Sequence, residues 1–474
     1  MRWRITLPKR LRAHRFRQLQ CDVCMFTKHN KALGMTSFLV CHVGDILFTV
    51  TNEELLVTEK GMRTFRAGDI EKITHQSPII STGILLGRPD SQSWNILLPQ
   101  SHHAKELQKV DVTQFAPQGK IINDQKLRTA IRHVLGALIW LHQSRHDIGL
   151  DITKIANDSV TACTDVDMEL ATLLLYNRTV RFVKDFDRGF LYSSPSHQQD
   201  SFGHRWRRLQ MMRLFIFTDA GFSSFTGSRS IEGSVTVLAE VISRGGLISC
   251  RGTFLGGRCA KIQRVCKSSS AEWRAGVTAS DQALRTQALL QEIITGAYEI
   301  RHISPPSKFP LPGPFGPSPT DGEAKWQRRE NNPKRRSFPP TCTSCDISIP
   351  TSLLALDATE WNNQRTAEKS PLPALLFRPL LLTDCCSLYS AILRTQPRSN
   401  DKCARLILDQ LRDLRHCLDI SFADNTCNRG DVETKHAGSL GILSHFMATG
   451  TFEISPIGRK ARKDCCEQAL KSKP

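Results

Sequence analysis

The feature that most constrains the fold of this chain is a proline-rich, basic segment from about residue 301 to residue 373. It contains the run SPPSKFPLPGPFGPSPTDGEAKWQRRENNPKRRSFPP. Proline lacks a backbone N–H and fixes φ, so prolines at this density exclude long helices and central strands. The polar and basic residues of the run do not supply enough apolar surface for a core. We therefore expect a disordered insertion with ordered structure on both sides.

Hydrophobic periodicity predicts the elements on either side of this insertion. Short β-favouring runs such as SFLVCHVGDILFTV dominate residues 35–110, and apolar residues at helical spacing follow over residues 124–185. Strand-like runs return over residues 213–260, before the long helical pattern SSAEWRAGVTASDQALRTQALLQEI. After the insertion come the strand pattern LLLT, helical residues and a further strand, DISFAD. This order predicts a mixed α/β fold.

The charge of the chain favours an anionic partner. Lys and Arg number 64 against 45 Asp and Glu, which gives a formal net charge of +19. A field of that sign attracts polyanions, and nucleic acid is the first to consider. There is no apolar run of the roughly 18 residues that a membrane span needs and no secretory signal. We expect an intracellular protein, cytoplasmic or nuclear, with reduced cysteines and neither a membrane partner nor a small-molecule cofactor.

Four acidic residues lie at element boundaries. They are Asp219 after LFIFT, Glu272 near the start of the long helix, Asp384 after LLLT, and Asp431 in NRGDVETK. Mg²⁺ prefers carboxylate oxygens, and two such ions about 4 Å apart activate water and stabilise the leaving oxygen in phosphodiester hydrolysis. Each acid also has a structural interpretation, as a turn residue, an acid at a helix amino end or an N-cap. Spacing alone leaves both interpretations open.

Four stretches carry a family resemblance when taken in order: LFIFTDAGFSS, AKIQRVCKSSSAEWRAGVTASDQAL, LLLTDCCSLYSAI and NRGDVETKHAG. Together they resemble the ribonuclease H domain of Ty1/copia-type retrotransposon polyproteins. The resemblance implies a ribonuclease H-like mixed sheet with flanking helices, and hydrolysis of the RNA strand of an RNA–DNA hybrid with Mg²⁺ or Mn²⁺. Its metal-binding and catalytic acids correspond to Asp219, Glu272, Asp384 and Asp431.

The resemblance continues upstream into the reverse transcriptase of the same polyproteins. LQCDVCMFTKHN and SFLVCHVGDILFTV are similar to the palm segment that holds the paired-aspartate hairpin. Gly44 occupies the place of one metal-binding carboxylate and only Asp45 is kept. Because glycine has no ligand atom, and because the fingers and the upstream palm aspartate have no counterpart here, we expect no polymerase activity.

Two further departures from the family concern the nuclease and its helical connection. In QSRHDIG, His146 stands where the family usually has proline, and SSSAEW is one residue shorter than the common pattern before Glu272. A deletion so close to a metal ligand would rotate or displace it. A second hypothesis is therefore a catalytically inactive nucleic-acid-binding relic, which would contact phosphates through the basic runs RLRAHRFR, HRWRR and PKRRS.

These patterns divide the chain into six predicted segments. They are a truncated reverse transcriptase palm and thumb remnant (1–110), a helical connection (111–200), the first part of the ribonuclease H domain (211–300), the insertion (301–373), the second part of the nuclease domain (374–447) and a basic tail (448–474).

Overall fold

The structure is a computed structural model, and it describes a defined part of the chain. The described residues are 2–30, 35–42, 45–50, 55, 59, 68–91, 95–99, 101–114, 124–161, 166–185, 189–192, 212–225, 229–244, 248–262, 268–295, 379–385, 388–389, 392, 402–414, 417–423, 428–434 and 440–454. The predicted insertion at 301–373 and Gly44 lie outside them. No helix among the described residues is both long and apolar enough to span a bilayer.

The amino-terminal part is a helix packed on a small antiparallel sheet. Its elements are α1 (Arg2–Ala13), β1 (Arg17–Gln18), β2 (Met25–Asn30), β3 (Met35–His42) and β4 (Asp45–Thr49), with the strands side by side in chain order. Leu7 and Leu11 of α1 are buried with Phe26 and Leu39 of the sheet. The predicted strands in SFLVCHVGDILFTV are present as β3 and β4, which pair in antiparallel register.

A helical part follows, with four short strands around it. It comprises β5 (Ile79–Ser81), β6 (Ile84–Leu86), β7 (Ile96–Leu98), α2 (Ser101–Glu106), α3 (Asp124–His142), α4 (Gly149–Thr161), α5 (Val166–Asp185) and β8 (Phe190–Tyr192). The helix predicted from KLRTAIRHVLGALIWLHQ is confirmed as α3. Ile131, Leu138 and Leu141 of its predicted apolar face are buried in one core with Ile155 of α4 and Tyr176 of α5.

The third part is a six-stranded mixed sheet. Its strands are β9 (Arg213–Phe225), β10 (Arg229–Arg244), β11 (Ile248–Lys261), β12 (Leu380–Thr383), β13 (Asp419–Phe422) and β14 (Thr451–Ile454). The strand order is β13-β12-β9-β10-β11-β14. Strand β12 runs parallel to both of its neighbours, and the other pairs are antiparallel. The predicted mixed α/β class is confirmed.

Helices cover both faces of this sheet. They are α6 (Ser268–Thr295), α7 (Lys402–Leu414) and α8 (Leu440–Thr449). Successive residues of a strand point to opposite faces, so Ile216 packs with residues of α6 and α7, whereas Phe215 and Phe217 pack with Phe446 of α8. A strand buried on both faces has apolar residues at consecutive positions. This explains why LFIF and LLL are uninterrupted in the sequence.

Strand β14 lies beyond residue 447, where the predicted second part of the nuclease domain ends. It lies inside the predicted basic tail, yet it pairs with β11 at one edge of the sheet. Its Phe452 ring contacts the rings of Phe215, Phe217 and Phe446 edge to face, with centroids 5.4–5.9 Å apart. The six-stranded sheet therefore includes residues up to 454. The basic residues beyond the short TFEI run masked this strand in the sequence.

A buried carboxylate joins the amino-terminal sheet to α6. Glu292 is buried and accepts hydrogen bonds from the backbone N–H groups of Gln20 (2.7 Å) and Cys21 (3.0 Å) and from the Arg17 guanidinium (2.9 Å). Glu292→Ala would leave both N–H groups without this acceptor, so we expect the free energy of unfolding to fall by about 2–4 kcal/mol. Urea titration followed by circular dichroism measures this change.

The matched control for this prediction is Asp281→Ala. Asp281 is an exposed acid on the same helix, and its loss is expected to change stability by no more than about 0.5 kcal/mol. Equal effects of the two substitutions would contradict the role given to Glu292.

Candidate metal centre

The register of two parallel strands brings the first pair of predicted acids together. Thr218 of β9 pairs with Thr383 of β12. Asp219 and Asp384 each follow that pair by one residue. Parallel strands present their carboxyl ends at the same edge of a sheet, which is where side chains of an α/β protein form a site. Asp384 directly follows the end of β12, as LLLTD predicts. The strand end predicted from LFIFTD is wrong, because β9 continues to Phe225 and Asp219 lies within it. The two acids lie side by side where the pairing of β9 with β12 ends.

The third predicted acid, Asp431, reaches this edge on a 3₁₀ helix, Arg429–Glu433. Asn428 caps that helix, because its Oδ1 accepts a hydrogen bond from Gly430 N at 3.0 Å. Its Nδ2 donates to Thr218 O at 3.1 Å. The same side chain thus orders the helix and ties it to β9. Asp431 is not the N-cap, so the structural interpretation considered for it does not apply.

Glycines allow the 3₁₀ helix to lie directly on the sheet. A Cβ built on Gly430 would lie 2.9 Å from Thr218 C and 3.0 Å from Asp219 N. A Cβ on Gly233, which pairs with Asp219 across β9 and β10, would lie 2.7 Å from Glu433 Cβ. Side chains at these two positions would push the helix away from β9. Close approach therefore depends on glycine at both.

Asp219, Asp384 and Asp431 converge in a carboxylate cluster. Each offers one carboxylate oxygen, and all three oxygens lie within 4.8 Å of one another. Asp219 is 3% exposed and Asp431 6%, whereas Asp384 is half-buried. The Thr434 hydroxyl donates a hydrogen bond to Asp219 Oδ2. Like charges this close and this buried repel, and a hard divalent cation is the ligand that such a set of oxygens fits.

The fourth predicted acid lies outside this cluster. Glu272 is near the amino end of α6 and is half-buried, but it is not a member of the three-carboxylate group. Its metal-binding role stays a prediction.

The Asp45 side chain makes a structural contact. Asp45 is exposed at the start of β4, and its Oδ2 accepts a hydrogen bond from Thr82 N at 2.9 Å. Among the described residues, Asp45 belongs to neither of the two groups of side chains that could hold an ion.

Sequence reasoning missed residues that support or adjoin the site. Asn428 was detectable, because Asn is one of the residues preferred at the N-cap position of a helix. Thr434 gave no signal, since its contact with Asp219 depends on tertiary structure.

A second group of potential metal ligands consists of His142, His146 and Glu433. Of these three, the sequence singled out only His146, which stands where the resemblance implies proline.

Comparison with known proteins adds no identification. No protein-family model matches the chain, and neither a curated protein nor a solved structure does. The geometry of the carboxylate cluster is therefore the main basis for a functional proposal.

Proposed function

We propose that this chain is a ribonuclease H of a Ty1/copia-type retrotransposon polyprotein, joined to a reverse transcriptase remnant without a competent polymerase site. It would hydrolyse the RNA strand of an RNA–DNA hybrid with Mg²⁺ or Mn²⁺. The observation that carries the proposal is the convergence of Asp219, Asp384 and Asp431 within 4.8 Å. The same three positions are those that the sequence resemblance implies as metal ligands. A mixed sheet with helices on both faces is compatible with the ribonuclease H-like fold that the resemblance implies.

The chemistry follows from the positions of the three aspartates. Asp219 within β9 and Asp384 just after β12 would hold an ion between them, and Asp431 would complete its ligand set. Bound Mg²⁺ supplies charge neutralisation at the scissile phosphate and lowers the pKa of a water nucleophile. The burial of Asp219 and Asp431 excludes competing water and strengthens these interactions. The net charge of +19 attracts the phosphates of the hybrid.

The test is cleavage of an end-labelled RNA–DNA hybrid by the full chain. We expect cleavage of the RNA strand in Mg²⁺ or Mn²⁺ and none in EDTA, with duplex DNA and single-stranded RNA left intact. Thermal unfolding provides a readout that is independent of activity, because an ion bound only by the folded chain raises Tm with its concentration. Intact hybrid together with an unchanged Tm would contradict the proposal.

One observation favours the alternative of a non-catalytic binder. Glu272 lies outside the carboxylate cluster, and an incomplete ligand set is expected of a decayed copy. Of the three basic runs, only RLRAHRFR is described; it lies at the end of α1 and start of β1, with exposed Arg10, Arg12, Arg15 and Arg17. Salt-dependent binding of hybrid and duplex alike, without cleavage, would support this alternative.

A further inference from the structure

A second cluster of potential metal ligands lies between the helical part and the sheet. His142 is the last residue of α3, His146 begins the 3₁₀ helix His146–Ile148, and Glu433 ends the 3₁₀ helix Arg429–Glu433. One ligand atom of each lies within 4.8 Å of the others. His146 Nδ1 is 3.9 Å from Glu433 Oε1, and the two imidazole centroids are 4.8 Å apart. One potential metal-ligand atom from each of three separate segments therefore lies close to the other two.

Two glycines lie next to these ligand atoms. A Cβ built on Gly149 would collide with Glu433 Oε2 and would lie 2.9 Å from His142 Nε2. A Cβ built on Gly257 would collide with Glu433 Oε1 and would lie 3.0 Å from His146 Nδ1. The glycines therefore allow the donor atoms to approach the backbone on both sides. Any side chain at either position would occupy the space between the ligands.

The carboxylate of this cluster is in an unusual environment for an acid. Glu433 is 0% exposed, and neither of its oxygens has a hydrogen-bond partner among the residues that the structure describes. His142 Nε2 is also buried and has no such partner within the described part of the chain. Burial of a charged carboxylate without hydrogen-bond donors is energetically unfavourable. Burial raises the pKa of Glu433 well above its usual value and lowers that of His146 to about 3.

The segments that carry these side chains are held by further contacts. Arg145 and Asp147, which flank His146, form a buried ion pair through two hydrogen bonds of 2.9 and 2.8 Å. The Cys259 thiol donates to Glu433 O at 3.0 Å. Such supporting contacts orient ligands and raise metal affinity. The cluster is therefore anchored on the turn before α4, on β11 and on the 3₁₀ helix.

We propose that His142, His146 and Glu433 bind Zn²⁺, or a similar first-row divalent ion, at a site separate from the aspartate cluster. Two imidazoles and one carboxylate are a ligand set that suits zinc, whereas Mg²⁺ prefers oxygen ligands alone. Ligand atoms of a tetrahedral zinc ion lie about 3.3 Å apart, so small side-chain rotations complete the site. Three protein ligands leave the fourth position to water. The ion connects the helical part to the sheet.

Metal titration of the full chain, in saturating Mg²⁺, tests this proposal. Co²⁺ is the probe, because imidazole and carboxylate ligands give a visible absorption band without the charge-transfer band of a thiolate. That distinction separates the site from the 16 cysteines of the chain. We expect one such Co²⁺ equivalent, displaced by Zn²⁺, and a Zn²⁺-dependent rise in Tm. Glu433→Gln and His146→Asn should weaken binding by more than about 10–100-fold, the loss caused by changing outer-shell partners alone.

Matched variants show whether Co²⁺ binding depends on this cluster alone. His103→Gln is the control, since His103 also lies 3.9 Å from a carboxylate, that of Glu106 on the same helix α2, but belongs to neither described group of potential metal ligands. This variant should bind Co²⁺ normally. Asp219→Asn should bind normally as well, so failure of the nuclease proposal would not affect this one. Metal-free Glu433→Gln should be at least as stable as the parent chain, because a neutral amide replaces a buried acid.

Three outcomes would overturn the proposal. The first is that the parent chain does not show the Co²⁺ absorption band of imidazole and carboxylate ligands. The second is that the parent chain, Glu433→Gln and His146→Asn bind Co²⁺ equally well. The third is that His103→Gln loses as much Co²⁺ affinity as the two ligand variants.

Discussion

Asp219→Asn should reduce Mg²⁺-dependent cleavage of an RNA–DNA hybrid by about 10³-fold, which corresponds to roughly 4 kcal/mol of transition-state stabilisation. The substitution keeps the shape of the side chain and still accepts the hydrogen bond from Thr434. It removes one of three anionic ligands that lie within 4.8 Å of one another. Initial rates measured over a range of Mg²⁺ concentrations give both the maximal rate and the apparent metal affinity.

The control for Asp219→Asn is Asp281→Asn, which removes the same charge from an exposed position on α6. Its rate should equal that of the parent chain. Without metal, Asp219→Asn should be no less stable than the parent, because one repulsive charge has left a buried cluster. Loss of activity accompanied by unfolding, or equal rates for Asp219→Asn and the parent chain, would contradict a metal-binding role.

Asn428→Ala is expected to have the second largest effect, on stability and activity together. The side chain is buried and makes two hydrogen bonds, from Gly430 N and to Thr218 O. Their loss should lower the free energy of unfolding by about 2–4 kcal/mol. Asp431 would lose its fixed position, and a displacement of about 1 Å costs roughly 10²-fold in rate. Chemical unfolding and hybrid cleavage measure the two effects on one preparation.

Gln410→Ala is the matched control for Asn428→Ala, since it removes an amide from an exposed position of α7 in the same sheet domain. It should leave both measurements unchanged. Full cleavage activity in folded Asn428→Ala would show that the capping contact does not position Asp431.

The sequence was sufficient to predict elements whose pattern is local. The runs LFIF and LLL are continuous because β9 and β12 are buried on both faces. Asp384 follows its run directly, so its place after the end of β12 could be predicted. The small residues after Asp219 indicated a turn, but β9 continues through them to Phe225. The α3 helix had an equally clear signal, an apolar face at helical spacing.

Features that depend on tertiary contacts could not be predicted in this way. The pairing of Thr218 with Thr383 joins residues far apart in the chain, and no local pattern fixes that register. Glu433 follows Asp431 by two residues and reads as an ordinary surface acid, yet it is fully buried. Strand β14 is four residues long, so its pattern was too short to separate from the tail. The position of Glu272 depends on the register of α6 against the sheet.

The parallel pairing of β9 with β12 affects how fast this chain folds more than how stable it is. The helix α6 ends at Thr295 and β12 begins at Leu380, so the pairing of β9 with β12 joins parts of the chain that are far apart in sequence. The entropy of loop closure grows only with the logarithm of loop length, by about 0.6 kcal/mol for each doubling. The length of this connection therefore has little influence on equilibrium stability. It has more influence on folding rate, because contacts between distant residues form slowly.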